Sequence, residues 1–163
     1  MSYPDPRYLG EGGEVSATHR AADHEPELAN PSGSSVSYLA TGASTDGQFG
    51  LYRFDMGPKP SGPRPHFHRT ISESFFILSG SVRIYDGTDW IDTGPGDFVH
   101  VPEGGIHGFR NESGEPASML IHFAPGAPRE AYFEGVADVA RMSDEERAEF
   151  YLHHDNHWLP EIG

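Results

Sequence analysis

The hydrophobic positions of the chain fall in short runs that alternate with polar residues. Gly, Pro and Asp separate the runs. "SVSYLAT" (35–41) and "QFGLYRFDM" (48–56) read as strands, joined by the turn "GASTDG". In the second strand Phe49, Leu51 and Arg53 share one face, and Gly50, Tyr52 and Phe54 share the other. "GPKPSGPRP" (57–65) is a loop, because its prolines remove backbone donors from any ladder or helix. "ESFFILSG" (73–80) is a strand ended by a turn. "SVRIYDGTDWIDTG" (81–94) is a hairpin with Asp-Gly at its tip. "GDFVHVPEGGIHGFRN" (96–111) is a strand, a Pro/Gly corner and a second strand, and "ASMLIHFAPG" (117–126) is one more. Phe49, Leu51, Phe75, Ile77, Phe98 and Met119 are the residues expected to line the interior, a few of them as a pocket wall.

After residue 126 the period changes. "PREAYFEGVADVARM" and "SDEERAEFYLHH" read as helices, the second opened by Ser143 and Glu146 in a capping box. Strands first and helices last predict an all-β barrel or sandwich with a short helical tail. The organisation expected is an N-terminal arm (1–34), polar and rich in turns, a barrel (35–126) and a C-terminal helical tail (127–163).

Composition narrows the function classes. The chain has 163 residues, twenty Gly, fourteen Pro, no Cys and a formal net charge of -14. Such a charge repels phosphate backbones and anionic membrane surfaces, so neither nucleic acid nor membrane is an expected partner. Disulfide and thiol chemistry are excluded. The start "MSYPDPRYLGEGGEV" lacks a basic segment followed by an apolar one, and no apolar run is long enough to span a bilayer. The expectation is a cytoplasmic protein.

Candidate chemistry centres on "PHFHRTISE" (65–73). In a strand, residues i and i+2 point the same way, about 6.6 Å apart, so His66 and His68 aim two imidazoles at one point. Glu73 has the opposite parity and joins them only if the chain bends around "RTIS". Two imidazoles and a carboxylate suit a first-row divalent metal. The alternative is two surface histidines beside a solvated glutamate, and this stretch leaves both open. A third histidine, His107, follows a Pro-x-Gly corner, with Asn111 four residues on.

Together these stretches resemble the cupin family. His66, His68, Glu73 and Gly80 match its first motif. Gly62 stands two residues nearer to His66 than that motif's leading Gly. Gly96, Pro102, Gly104, His107 and Asn111 match its second motif in full. The motifs cover about residues 62 to 111, and flanking strands fit from about 35 to 126. The resemblance implies a double-stranded β-helix (jelly-roll) barrel. It further implies one divalent transition metal (Fe, Ni, Mn, Co or Zn) held by His66, His68, Glu73 and His107. The wording of "SYLATGASTDGQFGLYRFDMGPKPSGPRPHFH" is similar to quercetin 2,3-dioxygenase-like cupins. That likeness implies a dioxygenase acting with dioxygen on a small enolic or aromatic, flavonol-like substrate, with Glu73 as catalytic base. Cupins also host non-oxidative isomerases, cyclases and lyases, and non-catalytic binding modules. A homodimer is the expected assembly.

Further residues are weighed against plainer roles. His100 and His122, in "FVHVP" and "LIHFAP", are cavity-lining candidates, with backbone-bonded core histidines as the favoured alternative. His153 and His157 fall at i and i+4 of a helical reading, with solvation or an oligomer contact favoured over a metal. Trp158 and Leu159 predict that the tail docks on an apolar surface, the barrel mouth or another subunit. Arg53, Arg64, Arg83 and Arg110 are candidate anion contacts, although isolated arginines on strands are usually solvated or paired.

Overall fold

The computed structural model describes residues 1–31 and 33–159. The last four residues of the expected tail, 160–163, lie outside the described residues, as does Ser32 of the arm. Two antiparallel layers enclose the core. The larger is a six-stranded sheet in the order β1 (Leu28–Ala29), β2 (Ser35–Ala40), β3 (Gly50–Met56), β10 (Ala117–Ala124), β5 (Ser72–Ser79), β8 (Phe98–Val101). The smaller is β7 (Trp90–Thr93), β6 (Val82–Tyr85) and β9 (Gly108–Arg110). Paired bonds of 2.8 Å between the backbones of His66 and His107 continue this layer to β4 (His66–Phe67) and then β11 (His157–Trp158). Val82, Ile84 and Phe109 of the small layer join Tyr52, Phe75, Ile77, Met119, Ile121 and Phe123 of the large one in a single buried cluster.

Register explains the sidedness. β10 runs between β3 and β5, so Ile121 lies between Tyr52 and Phe75, and Met119 between Phe54 and Ile77. Each of these positions faces inward. The next inner row is Gly50, Phe123, Glu73 and Val101, which seats one carboxylate among core residues. Three expected interior residues are therefore corrected. Leu51 has the opposite parity to Tyr52 and is only half-buried, and Phe49 stacks on the half-buried His122. Phe98 pairs with the exposed Phe76 and is itself 63% exposed. Alternation sorts residues into two faces but does not say which face meets the second layer.

The predicted punctuation is in place. The β6–β7 turn is closed by Asp86, whose Oδ1 accepts bonds of 2.8 Å from the backbone of Thr88 and Asp89. Gly62 has φ of +138°, and a Cβ there would lie 1.9 Å from the Phe109 carbonyl oxygen, so the entry loop passes β9 at a distance only glycine permits. The helical segments are α1 (Arg129–Gly135), a 3₁₀ turn (Val136–Arg141) and α2 (Asp144–His153), with the Ser143/Glu146 capping box formed. At the other end Glu27 ties the arm to β2, accepting from the Tyr38 backbone at 2.8 Å and from Arg20 at 2.7 Å.

Candidate metal centre

His66 in β4 and His68 just past its end face the same cluster, as their i,i+2 spacing predicts. The bend that brings Glu73 to them is present between β4 and β5. It is held from far along the chain: the Asp155 carboxylate accepts from the Arg69 and Thr70 backbones at 2.8–3.1 Å and from the Thr70 hydroxyl at 2.7 Å. His107 arrives from the Pro/Gly corner, where Gly104 N–H donates to the His68 carbonyl at 2.7 Å. One potential ligand atom from each of His66, His68, Glu73 and His107 lies within 4.8 Å of the other three, and all four residues are buried.

Each imidazole is oriented through its other nitrogen. Nδ1 of His66 meets the Arg64 carbonyl at 2.8 Å, that of His68 the Asp155 carbonyl at 2.7 Å, and that of His107 the Gly105 carbonyl at 2.9 Å. A carbonyl only accepts, so each Nδ1 carries the proton and donates. The Nε2 lone pairs are then free to converge on Glu73, whose Oε2 lies 3.1 Å from His68 Nε2 and 2.7 Å from His107 Nε2. Lone pairs and a carboxylate crowded together repel unless a positive charge joins them. Without metal that charge is a proton. Burial alone would raise the Glu73 carboxyl, but His107 and His68 outweigh it and hold Glu73 well below the usual carboxylate range. Burial alone would lower His107, yet Glu73 holds it above its ordinary value. His66 is driven by burial, and then by His107, down to about 3. A divalent cation meets the same demand with four ligands of the right chemistry, and the donor set fits a first-row metal.

A cavity of about 360 Å³ opens beside the cluster, near the lower end of the ~300–1,000 Å³ usual for ligand sites. Of the four residues, only His66 and Glu73 reach its wall. Phe54, Phe109, Phe123, Phe133, Tyr151 and Trp158 supply most of the apolar remainder. The tail forms its rim: β11 pairs Trp158 with His66 and His157 with Phe67, so the tail docks at the barrel mouth. Asn111 is wholly buried but does a different job. Its Nδ2 donates to the Gly57 and Glu115 carbonyls (3.0 and 2.8 Å) and its Oδ1 accepts from Ser113, fastening two loops.

The remaining candidates lie elsewhere. His100 is exposed on the outer face, bonded to Ser74 Oγ at 2.9 Å, and neither it nor His122 lines the cavity. The i,i+4 reading of His153 and His157 fails, because α2 ends at His153 and the chain turns at Asp155 (φ 56°). His157 then stacks on Phe67, ring centroids 5.0 Å apart. Arg53, Arg83 and Arg110 pair with Asp55, Asp92 and Glu112, whereas Arg64 reaches the cavity and lies over Trp158. Among the residues at the site that sequence alone did not single out are Asp155, Tyr151 and Arg129. Nothing local marks the first two. Arg129 has only its place behind Pro128 in a helix start, which reads as an ordinary solvated first turn.

Comparison with known proteins agrees with this geometry. Residues 52–123 match the family described as Cupin domain. Over 100 residues, 61% of this chain, the sequence is 35% identical to quercetin 2,3-dioxygenase of Bacillus subtilis (strain 168). The match spans 29% of that relative, so the chain covers less than a third of its length. KdgF from Halomonas sp. superposes with a TM-score of 0.55 at 16% identity, over 66% of this chain and 91% of that one. A predicted oxalate decarboxylase from Thermotoga maritima gives 0.53 at 18% identity, over 56% and 80%. These two likenesses concern the fold alone.

Proposed function

From the premise that this chain carries a cupin domain resembling quercetinase, we propose that it is a metal-dependent dioxygenase of a small enolic or aromatic, flavonol-like substrate. The observation that carries the reading is the convergence of four buried donors on one point beside an aromatic-walled cavity. His66, His68 and His107 would hold the metal through Nε2, and Glu73 through its carboxylate. When bound, iron, nickel, manganese, cobalt or zinc supplies Lewis acidity toward an enolate, and the redox-active members of that set also supply a route to dioxygen.

The chain's own residues do the rest. The aromatic wall excludes water and stacks against a planar substrate, leaving its enol oxygen toward His66 and Glu73. Glu73 is ionised, and one of its carboxylate oxygens takes the enol proton as general base. The reading extends to a cytoplasmic homodimer, and equilibrium sedimentation of the pure protein tests its dimeric part.

Metal content of the purified protein, measured by mass spectrometry beside His66→Ala, comes first. Near-stoichiometric metal that disappears in the variant is expected. Oxygen uptake with flavonols and other enols follows. Glu73→Ala should abolish turnover, and activity retained with metal intact would remove the base role. Turnover under strict anaerobiosis would refute a dioxygenase in favour of a non-oxidative lyase or isomerase.

A further inference from the structure

Arg129 is a guanidinium where few are found. It is 4% exposed, yet it forms part of the wall of the cavity that Glu73 and His66 also line. Its bonds are to neutral acceptors: Nη1 donates to the His154 carbonyl at 2.6 Å and Nη2 to Asn156 Oδ1 at 3.2 Å. Its Nε–H is buried without a partner. Among the described residues no carboxylate pairs with it. Instead it lies over the rings of Tyr132 and Phe123, at 4.3 and 5.0 Å from their centroids. Trp158, also on the cavity wall, buries an unpartnered indole N–H.

A buried guanidinium with no carboxylate in contact is unfavourable unless something completes it. The cavity's charge points the same way. Glu73 contributes one negative charge and Arg129 one positive, and Arg64 also stands on the wall, so a divalent cation at the cluster leaves an excess of at least two positive charges between apolar surfaces. An anionic occupant cancels that excess. A guanidinium on the wall favours a carboxylate over a hydroxyl as that occupant's polar group. We infer that Arg129 is a specificity-determining residue of this cavity, selecting small aromatic ligands that carry an anionic oxygen group, carboxylate before enolate, over neutral analogues. The inference rests on the reading of this cavity as the substrate site, and does not require the metal.

Benzoate and benzyl alcohol are suitable probes, because they share a ring and differ in charge. Calorimetric titration of chelator-treated protein gives the ratio of their affinities, so failure of the metal reading leaves the measurement intact. The wild type should prefer benzoate by about 10- to 100-fold, the range of a charge-assisted bond. Arg129→Met should bring the ratio close to one, and Arg129→Lys, which keeps the charge and loses the fork, should retain a preference of a few fold. A purely structural role would lower the thermal midpoint of either variant without changing the ratio. If Arg129→Met does not fold, the wild type and Arg129→Lys decide. A wild type without preference, or a preference undiminished in either variant, overturns the inference.

Discussion

Replacing Asp155 with alanine removes the acceptor for four donors: the backbone N–H of Arg69 and of Thr70, the Thr70 hydroxyl and His157 Nε2. A bond to a charged group contributes about 1.5–3 kcal/mol when its loss strands a buried partner. Here the carboxylate is 19% exposed, so water reaches part of what is vacated. About 0.5–1 kcal/mol per donor is the appropriate scale, or about 2–4 kcal/mol in all. At roughly 2–4 °C per kcal/mol for a chain of this size, the thermal midpoint of metal-free protein should fall by about 4–16 °C. Asp155→Asn, which keeps one acceptor oxygen, should lose about half as much. The same substitution loosens the backbone that orients His68, since the Asp155 carbonyl takes its Nδ1 proton. Zinc affinity, measured by competition with a chelator, should weaken about tenfold or more, as when other partners of metal-bound histidines are lost. A variant within about 0.5 kcal/mol of wild type would refute the account of the bend. Lost stability with unchanged zinc affinity would refute the claim that the tail positions His68.

Two further perturbations probe the frame around the site. Gly62→Ala combines a positive φ with a Cβ placed against the Phe109 carbonyl, and should cost about 3 kcal/mol or more. A midpoint shift equivalent to less than about 1 kcal/mol would mean that the loop relaxes freely. Glu27→Gln tests the clasp of the arm. The Glu27 carboxyl lies below its ordinary value: burial opposes this, but bonds from the Tyr38 backbone and Arg20 prevail. A depressed carboxyl stabilises the fold above the unfolded pKa of about 4.3, and that contribution is lost as pH falls through the folded value. The wild type should exceed the variant by about 1 kcal/mol or less at pH 7, with the gap closing below about pH 4 in urea unfolding series. A gap that stays constant into acid would contradict the assigned role.

What the sequence determined by itself is what depends on near neighbours. Strand alternation, the Asp-Gly turn, the Pro-rich loop and the Ser143–Glu146 cap all arise from contacts within a few residues, so spacing reports them. The pairing of His66 with His68 is of this kind, as is the need for a bend before Glu73. One more local signal was available: Glu73 is in step with Phe75 and Ile77, which puts a carboxylate on a core-facing row. A buried carboxylate needs compensation, and that need marks a site even without a family pattern. The tertiary structure decided what alternation leaves symmetric and what distance hides. Which face of β3 and β8 meets the other layer is set by packing, and it turned Leu51 and Phe98 outward. The end of α2 at His153 depends on the tail returning to pair with β4, which separated His153 from His157. The partner of His68 is 87 residues away, and the burial of Arg129 exists only because helix, tail and barrel mouth close around it. Local chemistry names the candidate ligands. Long-range packing decides how they are held and what stands opposite them.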